Sequence, residues 1–252
     1  MPRILITGCS SGFGRAIATR FLDEGWEVIA TMRSPSAEGL PLSDRLRIVP
    51  LDVTKPHSIE AALAEADHID ALVNNAGVGM LNVLEGADID RARELFEINV
   101  LGTMAMSRAV MPGMRQRRSG VIVNISSSVT LRPLPALSIY SASKAAVNAF
   151  TRSFALEAAE FGVRARLVLP GSAPETSFGR NAVARMGMDV PAAYGTFVQA
   201  YFQVMRHATD KTTALDVSNA VWRAVTDVDS PMMLPAGPDA HALFQNAGSA
   251  AA

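Results

Sequence analysis

The stretch ITGCSSGFGRAIA, Ile6 to Ala18, decides how this chain folds, because its pattern changes part-way along. It completes an apolar run, RILIT (3–7), that reads as a strand. It then passes Gly8, Gly12 and Gly14 and takes up the apolar spacing of a helix, expected over 12–24. Glycines between a strand and a helix let the turn be tight and let the backbone approach a pyrophosphate, which the N–H groups at the helix start then face. The spacing is G-x-x-x-G-x-G rather than the commoner G-x-G-x-x-G. Gly8, Ser10, Ser11, Gly12, Phe13 and Gly14 are the candidate contacts, and Cys9 reads as a small buried turn residue.

Outward from this turn the alternation continues. WEVIAT (26–31), LRIVPL (46–51), DALVNN (70–75), GVIVNI (120–125) and VRARLVL (163–169) are β-branched and almost wholly apolar, as strands covered on both faces are. Helical patterns lie between them at 57–66, 88–117 and 138–160. The repeated β-α-β-α order predicts an α/β fold: a Rossmann-type, doubly wound parallel sheet of about seven strands, in a single domain over 1–252. After Pro170 the composition shifts to Met, Phe, Tyr and small residues, with a helix expected at about 190–207. Asp216 reads as the N-cap of a helix over 217–226, and SPMMLPAG as a short last strand and turn.

Composition excludes several functions. The 252 residues are 49% hydrophobic with a net charge of −1 and no basic stripe, so no nucleic-acid partner is expected. Arg115, Arg117 and Arg118 suit a helix C-terminus. One cysteine and four scattered histidines (57, 68, 207, 241) offer no metal-ligand spacing. With an apolar run already at Arg3, no signal peptide is expected. No apolar stretch approaches the ~20 residues that span a bilayer, so a soluble cytoplasmic protein without membrane contact is expected.

Two further stretches carry chemistry. The second strand ends IATMRS, with no acid over 28–34 and Arg33 at its end. An acid there binds the ribose 2′-OH of NAD, whereas an arginine fork suits the 2′-phosphate of NADP, so NADP(H) is expected over NAD(H). YSASK (140–144) then sets Tyr140 and Lys144 one helical turn apart, in a chain with three tyrosines and three lysines.

Taken together, TGCSSGFG (7–14), LDVT (51–54), NNAG (74–77), Asn99 in FEIN, NISSS (124–128), YSASK (140–144) and LPG (169–171) resemble the short-chain dehydrogenase/reductase family, in its roughly 250-residue branch. The likeness is close over 3 to about 171. TGCSSG with ATMR also resembles NADP(H)-dependent steroid and retinoid reductases of that family. The resemblance implies Tyr140 as acid/base, Lys144 as its helper, Ser127 as the hydroxyl that orients a carbonyl and Asn99 as the fourth member of a proton relay. Ser126 and Ser128 are left to backbone or packing roles. It further implies Asp52 and Val53 beside the adenine, Asn75 and Gly77 beside the adenosine ribose with Asn74 structural, and Pro170 and Gly171 over the nicotinamide. The threonine that often stands five residues after this proline is here Thr176, six after.

From this follows an expected NADP(H)-dependent interconversion of a ketone or aldehyde and an alcohol. The alternative is a cofactor-binding redox sensor or regulator without significant catalysis. A lysine ammonium facing the phenol is expected to lower the Tyr140 pKa from about 10. Helices 88–117 and 138–160 carry apolar residues on more than one face, and family members pair them into homodimers or homotetramers. A substrate lid is expected at about 174–213, with Phe178, Met186, Met188, Tyr194, Phe197, Tyr201, Phe202 and Met205, facing Met80, Leu131, Leu134 and Leu137. The expected substrate is a small apolar or aromatic carbonyl compound or alcohol.

Overall fold

In the computed structural model, which describes residues 1–174, 176, 190–207 and 210–249, alternate residues of each central strand enter different cores. In β1 (Arg3–Thr7), Ile4 and Ile6 pack with Phe21 and Val221, whereas Leu5 packs with Leu72, Met106 and Ile122 on the other face. The strands β2 (Glu27–Met32), β3 (Leu46–Pro50), β4 (Ala71–Asn74), β5 (Gly120–Ile125), β6 (Val163–Pro170) and β7 (Met233–Ala236) join β1 in a parallel sheet. Among the described residues it has seven strands in the order β3-β2-β1-β4-β5-β6-β7. The chain steps outward from β1 to β3, then returns to lay β4 on the free side of β1. That reversal opens a crevice at the carboxyl ends of β1 and β4, where α/β sheets bind ligands.

Helices α1 (Gly12–Asp23), α2 (Pro56–Ala64), α3 (Ile89–Phe96), α4 (Gly102–Arg117), α5 (Ser138–Ala159), α6 (Gly195–His207), α7 (Ala214–Thr226) and α8 (Pro238–Ser249) complete the described elements. Three differ from the sequence reading. The helix expected over 88–117 is interrupted by one π turn, Glu97–Leu101, between α3 and α4. There the buried Asn99 turns its amide to the backbone of Val78, and Gly102 lets α4 begin hard against Val53. Thr213, not Asp216, is the N-cap of α7; Asp216 is the third helical residue and completes a reciprocal capping box with it. The last helix, α8, has no counterpart in the sequence reading.

Candidate active site

The glycine turn is held open by its neighbours. Gly8 has φ +76°, and a Cβ there would lie 2.9 Å from Ala76 Cα; a Cβ on Gly14 would lie 2.3 Å from Gly8 O. The Asn75 amide braces the same turn, donating to Thr7 O at 2.9 Å and Gly8 O at 3.1 Å. Ser11 stands at the N-cap of α1 without capping it through its side chain, and no acid occupies the first helical turn. Backbone N–H groups at a helix start, free of nearby negative charge, form a cradle for an anion. Ser10 lends its carbonyl to Arg15, Phe13 packs on the α1 core, and Cys9 is buried with its thiol pushed up to about 12 by burial.

At the outer end of the crevice Arg33 is exposed, just past β2. It faces Asp52: burial would raise that carboxyl, but hydrogen bonds from the Thr54 N–H and hydroxyl, with the Arg33 and Lys55 charges, outweigh it and hold it below the usual range. Val53 turns its side chain into the core against Gly102. Asn74 is a structural residue, donating to Ser107 Oγ and Asn124 Oδ1 inside the sheet-helix layer.

At the inner end the residues proposed for chemistry converge. β5 ends at Ile125, delivering Ser127, and α5 presents Tyr140 and Lys144 from one face. The Tyr140 hydroxyl is hydrogen-bonded with Ser127. Lys144 Nζ donates to Ile125 O at 2.9 Å and lies 5.9 Å from the Tyr140 ring centre. A side chain on Gly77 would meet Asn99 Oδ1 at 3.2 Å and Lys144 Nζ at 3.6 Å, so these three positions lie side by side. Asn99 itself accepts from Val78 N at 2.8 Å and donates to Val78 O and to Ser143 Oγ. Ser143, inside YSASK, was missed by the sequence reading: it ties Asn99 to the Tyr140 carbonyl. Ser126 Oγ donates to Asn148 Oδ1.

One electrostatic expectation is overturned. Burial pushes the Tyr140 phenol well above its usual value, with the Ser127 hydrogen bond opposing, and Lys144 is not among the causes. Burial also pushes the Lys144 ammonium down to about 8. The ammonium spends a donor on Ile125 O instead of the phenol, and desolvation of each group outweighs their mutual attraction.

Met80 and Leu137 pack with Tyr140, whereas Leu131 joins a core cluster with Val147 and Leu167. Tyr194 hydrogen-bonds the Glu85 carboxylate, and burial raises Tyr201 against the pull of Arg132. Phe178, Met186 and Met188, and the side chains of Phe202 and Met205, lie outside the described residues. Thr176 is buried and packs on Gly12, its Cβ 3.5 Å from where a Gly12 side chain would begin. The displaced threonine therefore contacts the glycine turn. Among the described residues no helix is long and apolar enough to cross a membrane, and no group of His, Cys, Asp and Glu could hold a metal.

The model of the short chain dehydrogenase family matches residues 2–186. Human retinol dehydrogenase 8 is 35% identical over 199 residues, 74% of this chain and 64% of its own length, so the match spans less than two thirds of that relative. The 3-ketodihydrosphingosine reductase of Bacteroides thetaiotaomicron is 32% identical over 252 residues, 98% of this chain and 91% of that protein. A crystal structure of a short chain dehydrogenase from Burkholderia cenocepacia in complex with NADP has a TM-score of 0.78 at 28% identity, covering 98% of this chain and 93% of that one.

Proposed function

Because the chain belongs to the short-chain dehydrogenase family, we propose that it is an NADP(H)-dependent oxidoreductase that reduces an apolar ketone or aldehyde to the alcohol. The observation that carries this reading is the Tyr140 phenol, buried, kept protonated and hydrogen-bonded to Ser127 beside Lys144. A buried phenol held in its acid form is a proton donor, which suits reduction. The residues also fit the cofactor: the glycine turn is a cradle that side chains would fill, and an arginine stands where a 2′-phosphate would lie. The backbone at Gly8, Ser10, Ser11, Gly12, Phe13 and Gly14 would hold the pyrophosphate and Arg33 the 2′-phosphate. Asp52 and Val53 would border the adenine, Asn75 and Gly77 the ribose, and Pro170 and Gly171 the nicotinamide.

When bound, NADPH supplies hydride to the carbonyl carbon. Ser127 and Tyr140 hold the carbonyl oxygen with two donors, which stabilise the negative charge that develops there. Tyr140 passes its proton to that oxygen, completing the alcohol. Lys144, with a pKa of about 8, is largely protonated at neutral pH and can return a proton through water near Asn99.

The apolar substrate class rests on Met80 and Leu137 beside Tyr140, with support from two relatives named for retinol and for 3-ketodihydrosphingosine, both with long hydrocarbon portions. We read the chain as one domain with a lid at about 174–213, working in the cytoplasm. Leu101, Leu156 and Phe161, exposed on or beside α4 and α5, support a homodimer or homotetramer. Light scattering that returns 26.7 kDa at micromolar concentration would refute that assembly. The activity is tested by following NADPH absorbance with a panel of ketones and aldehydes. Turnover is expected with small apolar or aromatic ones, and a clear preference for anionic ketones overturns the substrate class.

Cofactor choice has its own test. Arg33→Asp should raise the Kd for NADPH ten- to a hundredfold, because a charge-assisted bond is worth about 1.5–3 kcal/mol, and should change NADH binding little. A wild type that already prefers NADH in parallel titrations would remove Arg33 from this role.

A further inference from the structure

Three distant parts of the chain meet just beyond the end of β6. Asp239, in the first turn of α8, uses both carboxylate oxygens: Oδ2 accepts from Ser172 N at 2.6 Å and Oδ1 from Thr212 Oγ1 at 2.7 Å. Thr212 Oγ1 in turn accepts from Gly171 N at 2.9 Å and lies 2.8 Å from Ala236 O. Thr212 N donates to Ser172 O at 2.8 Å, and Thr212 is only 3% exposed. The fit is close: a Cβ on Gly171 would stand 2.1 Å from either Asp239 oxygen. An acid in the first turn of a helix commonly does no more than complement the dipole. Here both oxygens are taken by partners at 172 and 212, and these are the two ends of the Met- and aromatic-rich segment. Ser172 and Thr212 are therefore held side by side just beyond the end of β6, close in sequence to Thr176, which rests on Gly12 of the glycine turn.

We propose that Asp239 is a positioning residue for the cofactor: its carboxylate fixes the Pro170–Gly171 turn by holding Ser172 and Thr212 together just beyond the end of β6. This rests on the reading of the crevice as an NADPH site. The clasp acts through Gly171 and Ser172 and touches none of Ser127, Tyr140 or Lys144. Its loss should therefore weaken cofactor retention more than it slows the chemistry.

The test compares Asp239→Ala, Asp239→Asn, Thr212→Val and the double variant Asp239→Ala/Thr212→Val. NADPH affinity is measured by fluorescence titration, kcat and KM by absorbance, and Tm without ligand. Asp239→Ala and Thr212→Val should each raise the Kd and KM for NADPH tenfold or more, with kcat within threefold of wild type. Asp239→Asn should fall between, because one amide oxygen can serve Ser172 N while the other acceptor is lost. The double variant should be no worse than the poorer single in both Kd and Tm, since each single already opens the same clasp. A folded Asp239→Ala protein with a Kd within twofold of wild type overturns the proposal, as do additive losses. If Asp239→Ala does not fold, Asp239→Asn and Thr212→Val decide by the same criteria. A wild type that binds no NADPH defeats the proposed function instead. Non-additive Tm losses in the ligand-free protein then still report whether the clasp exists.

Discussion

Tyr140→Phe is expected to lower kcat about a thousandfold, within the range a general acid contributes, while NADPH affinity stays within threefold of wild type. Only the hydroxyl is removed, and the ring keeps its place among Met80, Leu95 and Leu137. Burial already holds the phenol in its neutral form, so Phe introduces no new charge imbalance, and Tm should not fall by more than a few degrees. Ser127 loses its phenol partner but keeps the bond from Val129 N, so its rotamer has a remaining anchor. Steady-state kinetics and a fluorescence titration on the same preparation settle the matter. Turnover within tenfold of wild type would remove Tyr140 from proton transfer, and a matching loss of cofactor affinity would make it a binding residue.

Lys144→Met should abolish nearly all turnover, by about a hundredfold or more, and also raise the KM for NADPH, because we read this side chain as serving both the proton path and the nicotinamide ribose. The same substitution has a thermodynamic signature. The folded chain holds this ammonium at a pKa of about 8, against its ordinary 10.5. Between those values the unfolded chain binds a proton that the folded chain does not, so wild-type stability rises with pH across that window. Below pH 8 the folded state carries the whole cost of the buried charge, about 3 kcal/mol at 1.4 kcal/mol per pKa unit. Methionine carries no such cost. The stability of Lys144→Met relative to wild type should therefore fall by about 2 kcal/mol between pH 7 and pH 9.5. Leaving Ile125 O without its donor adds a penalty that does not change with pH. Measurements stop below pH 10 because Tyr140 then acts in the opposite sense: its folded pKa is raised, so its contribution is lost as the unfolded phenol ionises. A stability difference that is flat with pH would mean that Lys144 is not held as a strained cation.

Much of this was legible in the sequence because the decisive signals are local. Near-continuous apolar runs marked β1, β2, β4, β5 and β6, since strands covered on both faces have no polar side to show. Gly8, Gly12 and Gly14 marked the cradle, and the four-residue step from Tyr140 to Lys144 put both on one face of α5. What failed depends on contacts far apart in sequence. A buried asparagine among Phe96, Ile98 and Val100 is a local sign that the helix is distorted there, but its partner, the Val78 backbone 21 residues away, has no such sign. Asp216 resembles a cap because caps and third-position acids draw on the same short polar residues; the choice fell to Thr213. Small residues hid α8, and nothing near Asp239 announces Ser172, 67 residues earlier. The Tyr140 and Lys144 shifts follow from burial, which a two-residue spacing argument does not contain.

The parallel order of the sheet also governs how the chain reaches this state. Every strand pair needs a crossover, and none can form as a hairpin. β1 meets its second neighbour only when Ile4 pairs with Ala71, after a loop of more than sixty residues has closed. Chains dominated by such distant pairings lose loop entropy before they gain contacts, and so fold slowly. The seam between β1 and β4 is thus both the wall of the ligand crevice and a late closure in assembly. The N-terminal stretch up to β3 must wait, with one flank of β1 bare, until residues beyond 70 arrive to cover it.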